Sequence, residues 1–257
     1  MMYNKSNIDS LMQHTFYRGV TMKSKKVLSV FIGCTIFIIF LFMMIDSASQ
    51  IKLSTSTQNT KFSPTIIIDA GHGGEDGGAV SDNGILEKDI NLVISNNTAD
   101  FLTICGFDTK KTRTDDSSLS NDEESIRLRK VADMKKRLEI FNSSDNNIII
   151  SIHQNKFTES KYYGTQIFYS PNSDESNKLA ENIKFTIKSL LQPQNERECK
   201  KAGNDIYLLK NSNNPAVIVE CGFLSNPSEC QNLTDPIYQK QMAFSIVTGF
   251  LDYYNKN

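Results

Sequence analysis

Three apolar runs limit what this chain can fold into: "TIIID" at 65–69, "NIIISIH" at 147–153 and "AVIVECG" at 216–222. None alternates apolar with polar residues as a half-solvated strand would, so each reads as a strand covered on both faces. Segments of helical period lie between them. Lys88–Leu102 puts Ile90, Val93, Ile94 and Phe101 on one face, and Ser125–Phe141 turns Val131, Met134, Leu138 and Phe141 inward. The opposite face of that second helix carries Arg127, Arg129, Lys130, Lys135, Lys136 and Arg137, whose expected role is solvation. Ser173–Leu191 is a further helix and Asp235–Tyr254 a closing one. Shorter strands are expected at Phe107–Lys111, Thr165–Tyr169 and "DIYLL" (205–209). Strands separated by helices imply an α/β fold. A single domain is expected, with a mostly parallel or mixed central sheet of about six strands and helices on both faces.

The sheet begins only near residue 64. Before it, "VLSVFIGCTIFIIFLFMMI" (27–45) runs for 19 residues without a charge. As a helix it would be about 28 Å long, close to the roughly 30 Å hydrocarbon core of a bilayer. Lys23, Lys25 and Lys26 precede it, a bias that keeps the N-terminus in the cytoplasm and sends the rest across. A retained anchor and a cleaved signal both fit, the latter because "SAS" (47–49) offers small residues to a peptidase. Met22, followed by "KSKK", reads as an alternative start. The expected order is a basic region (1–26), the signal or transmembrane segment (27–45), a Ser/Thr/Asn-rich linker (46–63) and the globular domain (64–257).

Composition narrows the partners. A net charge of −1 gives no general attraction to nucleic acid. Cys34 lies in the apolar segment. Cys105, Cys199, Cys221 and Cys230 match no zinc-knuckle spacing, and one or two bridges among them are compatible with export. Cys221, in the run "AVIVECG", reads as a buried strand thiol rather than a nucleophile.

The first strand runs into "DAGHGGEDGGAV" (69–80), with five glycines in eight residues around His72. Gly78 is followed by Ala79 and Val80 rather than Lys-Ser or Lys-Thr, so this is no Walker loop, and no helix opens at the first glycines as a dinucleotide fingerprint requires. Glycines also let backbone approach closely, which suits a loop aiming one side chain into a cleft. Clefts in such sheets open beyond the carboxyl ends of the strands. His72 follows the first strand, His153 ends "NIIISIH" and Glu220 follows "AVIV". If those strands are parallel, all three side chains share one rim, and Glu87 at the next helix start reaches it too. A glutamate after "VIV" is costly unless paired, protonated or bound to a cation. Two histidines and two glutamates fit a His₂Glu zinc site with one glutamate left for proton transfer.

These same segments resemble a known family. "IIIDAGHGGEDGGAV", "LEKDINL", "SIHQN" and "VECGFLSNPSE", in this order, are similar to the zinc-dependent N-acetylmuramoyl-L-alanine amidases of the amidase-3 type, and the resemblance covers residues 64 to 254. "SIRLRKVADMKKRLEIFN" and "IYLLKNSNNPAVIVECGFLSNPSE" extend it toward the germination-specific spore-cortex amidases (CwlD type). The resemblance implies that His72, Glu87 and His153 bind Zn²⁺ and that Glu220 is catalytic. It also implies cleavage of the amide between the lactyl group of muramic acid and L-alanine of the stem peptide. In spore-cortex peptidoglycan that cleavage would lead, with a separate muramic acid deacetylase, to muramic-δ-lactam. The same likeness implies export to the forespore intermembrane space, anchored or secreted, and leaves room for an activating accessory protein. Asn155 matches the family's "SIHxN", whereas Lys156 replaces a small residue. Two other readings stay open: another exported zinc peptidase or hydrolase, and a non-catalytic wall-binding module. The loop Arg113–Glu124 is too short and acidic to plug the cleft, so an open cleft is expected. Glu87, after a flexible glycine loop, is expected to be the ligand, and Glu220, on a rigid strand, the proton carrier.

Overall fold

The three apolar runs pair side by side as parallel strands. In the computed structural model, which describes residues 63–120 and 125–256, β1 (Thr65–Ala70), β3 (Asn147–Asn155) and β6 (Ala216–Phe223) form the centre of a six-stranded sheet. β2 (Thr109–Lys111) lies outside β1, and β4 (Gln166–Tyr169) and β5 (Lys200–Lys201) lie outside β6, giving the order β2-β1-β3-β6-β4-β5. Within this sheet only β4 against β6 is antiparallel, so the sheet is mixed. The basic start, the apolar segment 27–45 and the linker up to residue 62 lie outside the described residues. Among the described residues no helix is long and apolar enough to cross a membrane.

Two layers of helix cover the sheet. Strand side chains alternate between faces, so Ile66, Ile68, Ile150, Ile152, Val217 and Val219 turn one way into the larger core. There they meet α1 (Glu87–Ile104), α3 (Asp174–Leu190) and α6 (Pro236–Tyr254). Ile67, Ile149 and Ile218 turn the other way, against Phe141 of α2 (Ile126–Phe141) and Leu209 of α4 (Tyr207–Asn211). Each fully buried isoleucine contributes roughly 1.5–3 kcal/mol, which makes the central strands a stable platform for the polar residues at their ends. Helix starts are fixed by side-chain caps. Ser125 accepts from Leu128 N, Ser173 from Glu175 N, and Asp235 from Ile237 and Tyr238 N.

Several expectations are corrected. "DIYLL" is not a strand. Tyr207–Asn211 is a helical turn that buries Leu208 and Leu209, and the sheet position beyond β4 is taken by Lys200–Lys201. The chain after Asn226 forms an unforeseen helix, α5 (Pro227–Thr234), whose first turn is capped by the Asn226 side chain. Val93 is 42% exposed, because α1 buries a partly polar face that includes Asn91, Ser95 and Thr98. On α2, Val131 and Met134 are exposed while Arg137 is 3% exposed, so the supposedly solvated guanidinium lies inside. All four described cysteines are free, and Cys221 is fully buried.

Candidate active site

The face of the sheet that carries Ile67 and Ile149 becomes polar toward the carboxyl ends of the strands. Asp69 is paired in register with Ser151, and His153 with Glu220. Residues paired across parallel strands project to the same side, so His153 and Glu220 are direct neighbours.

The glycine loop brings His72 to them. His72 has φ 62°, and Gly73, Gly74 and Gly78 are also left-handed. The sequence of positive φ angles curls the loop over the strand ends, and glycine supplies that conformation without steric cost. Two of the loop's glycines also make room. A Cβ at Gly71 would overlap the His153 ring, and one at Gly78 would lie 2.6 Å from Glu87 Oε2 and 2.7 Å from His72 Cδ2. The His72 and His153 rings meet edge to face with centroids 5.0 Å apart.

Glu87, in the first turn of α1, lies between the two rings. Its Oε1 is 3.0 Å from His153 Nδ1 and 3.3 Å from His72 Nε2. The same oxygen accepts from the Gln154 amide at 3.0 Å and from Asn91 Nδ2 at 3.2 Å, while Oε2 accepts from the Ala79 amide at 2.7 Å. Glu87 opens α1 after the glycine loop, as expected, and these four bonds hold it rigidly. Burial opposes its charge, but the two histidines outweigh that and hold its carboxyl far below the usual range. His72 donates from Nδ1 to Asp76 Oδ2 at 2.8 Å, which leaves Nε2 toward Glu87. Burial lowers the His72 pKa less than Asp76 and Glu87 raise it, and it stands at about 9.

The donor set tests whether a metal fits. One atom from each of His72, Glu87 and His153 lies within 4.8 Å of the others. Ligands about 2.0–2.2 Å from a tetrahedral zinc are about 3.4 Å apart, close to the 3.0 and 3.3 Å measured from Glu87. Two imidazole nitrogens and one carboxylate oxygen suit zinc, and the Asp76 acceptor behind His72 is the outer partner such a ligand usually has.

Glu220 stands apart from this group. Its Oε2 is buried without a hydrogen-bond partner. Burial pushes its pKa up to about 7, with Glu87 adding to the rise and the histidines opposing it. A groove of about 590 Å³ opens beside the cluster between the strand ends and α2, and His72, His153, Arg127, Val131 and Met134 border it. The histidine side chains are 25% and 19% exposed, so both are reachable from the groove. Lys156, the departure from the "SIHxN" pattern, donates to Val80 O at 2.5 Å and ties the end of β3 to the loop before α1.

All four residues expected from sequence thus converge. The supports behind them were missed: Asp76, Asn91 and, deeper, Asp69, Arg113 and Arg137. Asp69 is fully buried, accepting from Ser151 Oγ at 2.6 Å and Thr112 Oγ1 at 2.8 Å and pairing with Arg137. Burial disfavours its charge, yet Arg137 and Ser151 hold its carboxyl below the ordinary value. The signal for such a group was a charge inside an apolar strand run, which must find a partner.

A doubly covered α/β sheet with a His–Glu–His cluster at one rim, beside a glutamate whose Oε2 is buried without a partner, has the layout of a metal-assisted hydrolase. Residues 66–252 match the N-acetylmuramoyl-L-alanine amidase family, and the chain belongs to it. The chain is 36% identical over 192 residues to the germination-specific N-acetylmuramoyl-L-alanine amidase of Bacillus subtilis, covering 74% of this chain and 80% of that one. It is also similar to the CwlD amidase from Clostridioides difficile, solved in complex with the GerS lipoprotein. That match has 42% identity and a TM-score of 0.73, and covers 76% of this chain and all of the other. An N-acetylmuramoyl-L-alanine amidase from Clostridium difficile 630 matches at 32% identity and a TM-score of 0.66, over 76% of this chain and 98% of that one.

Proposed function

We propose that this protein is a zinc amidase of spore-cortex peptidoglycan that cuts the bond between the lactyl carbonyl of muramic acid and the nitrogen of L-alanine. The observation that carries the reading is the convergence of His72, Glu87 and His153 beside the buried, unpartnered carboxylate of Glu220. His72, Glu87 and His153 would hold the zinc, which supplies Lewis acidity toward the amide carbonyl and makes water more acidic. Glu220 takes a proton from the attacking water and delivers it to the leaving L-alanine nitrogen. Burial raises the pKa of this carboxyl above the ordinary value, in the direction that suits a group that takes up and then gives back a proton. The groove bordered by Val131 and Met134 receives the substrate beside the cluster.

The cortex role rests on likeness to the germination-specific amidases. Its product, a lactyl carboxylate, would feed a deacetylase and then lactam closure. An accessory protein fits the same likeness, since the CwlD relative was solved with a lipoprotein. Export rests on the basic and apolar N-terminus, and a reporter active only outside the cytoplasm, fused after residue 60, should give signal. Silence from that fusion beside a working control would contradict export. The activity is tested by offering muropeptides and free stem peptides to the purified protein, with and without a zinc chelator. Muropeptides alone should be cut, and only without chelator. Cleavage of free peptides would favour an exported peptidase instead.

A further inference from the structure

His72 is a non-glycine residue in the left-handed region, a conformation that costs roughly 1–2 kcal/mol and persists only where the surroundings fix it. Much of what fixes it comes from α2. Three side chains of that helix reach the loop: Arg129 to Glu75 at 2.7 Å, Lys130 to Asp76 at 2.8 Å, and Arg137 to the backbone. The first two links involve exposed groups, and such pairs contribute at most about 1 kcal/mol. Arg137 is different, being 3% exposed. Its Nη2 donates to His72 O at 2.7 Å, its Nη1 to Ala70 O at 2.8 Å and to Asp69, and its Nε to Asp133 Oδ2 at 2.6 Å. Arg113 supports the same turn from the other side, donating to Ala70 O at 2.9 Å and Gly71 O at 3.1 Å.

We infer that Arg137 is a positioning residue for the metal centre, its guanidinium fork clamping the carbonyls on either side of Gly71 so that His72 faces Glu87 and His153. The inference rests on reading those three residues as zinc ligands. One planar group spans Asp69, Ala70 O and His72 O at once. A lysine at this position is a single point charge that can reach Asp69 but cannot bridge both carbonyls. Outer-shell partners of metal ligands are typically worth about 10–100-fold in affinity, so Arg137→Lys should weaken zinc binding by about that factor while leaving the fold in place.

The test uses the full-length chain, purified in detergent, with zinc affinity read by chelator competition and ligand geometry by the visible spectrum of the cobalt-substituted protein. Ile246→Val, a change in the core on the other face of the sheet, serves as a comparison for destabilisation alone. Arg137→Lys and the milder Asp133→Asn, which removes the carboxylate steering Arg137, should both bind zinc more weakly than Ile246→Val at equal loss of Tm. Their cobalt spectra should shift. Zinc affinity within about twofold of the parent in a folded Arg137→Lys would overturn the inference and leave Arg137 a stabiliser of the fold. If Arg137→Lys does not fold, unchanged affinity and spectrum in Asp133→Asn would overturn it equally. If the parent takes up no zinc, or His72→Ala keeps it, the metal reading itself fails, which is a different result.

Discussion

Glu220→Gln should retain zinc at the parental affinity and lose turnover by about 10²–10⁴-fold, the usual contribution of general acid–base assistance. The substitution keeps the volume of a side chain whose Oε2 is buried with no hydrogen-bond partner, so little structure depends on its charge. It removes a carboxyl whose pKa burial pushes up to about 7. Elemental analysis of the purified variant beside a muropeptide assay separates the two consequences. A Glu220→Gln protein without zinc would make Glu220 a ligand, and one with full activity would remove it from the chemistry.

Glu87→Ala should lose both metal and turnover, by more than the roughly 10–100-fold that loss of an outer-shell partner costs. Here the carboxylate is the hub of the site. Its removal leaves the Gln154 and Ala79 amides without their acceptor, takes from Asn91 one of its two acceptors, and takes from both histidines the group they share. Unsatisfied buried groups cost about 1–3 kcal/mol each, so this variant should also melt earlier than Glu220→Gln. Zinc content and thermal unfolding, measured on the two variants side by side, decide the assignment. Zinc retained by Glu87→Ala and lost by Glu220→Gln would reverse the two roles.

What the sequence made legible came from strong local signals. The runs around Ile67, Ile149 and Ile218 are dense in β-branched isoleucine and valine, which favours strand over helix, and their parallel pairing puts His72, His153 and Glu220 on one rim. Glu87 was legible because it opens the first helix after the loop. The supporting layer was hidden for a definite reason. Arg137 sits in a helix whose charges repeat like a solvated face, and its burial is decided by loop carbonyls and Asp69, which are distant in sequence. Asp69 ends a buried run, a position that demands a partner, but that partner lies 68 residues away. "DIYLL" failed because five residues are too few for periodicity to separate a strand from a helical turn. Val131 and Met134 point outward for a related reason: they form the apolar wall of the groove beside the site, which helical period alone does not distinguish from core.

One bond is at stake in the proposed reaction, and the label of the attacking water reports on it directly. Cortex muropeptides digested by the purified, zinc-loaded protein in H₂¹⁸O should yield a muramic acid whose lactyl carboxylate carries one ¹⁸O. The accompanying stem peptide should begin at a free L-alanine amine and carry no label. Mass spectrometry of the two fragments resolves the placement. Label within the peptide, or muropeptides recovered intact from zinc-loaded protein, would contradict the assignment of His72, Glu87, His153 and Glu220 to hydrolysis of the lactyl amide.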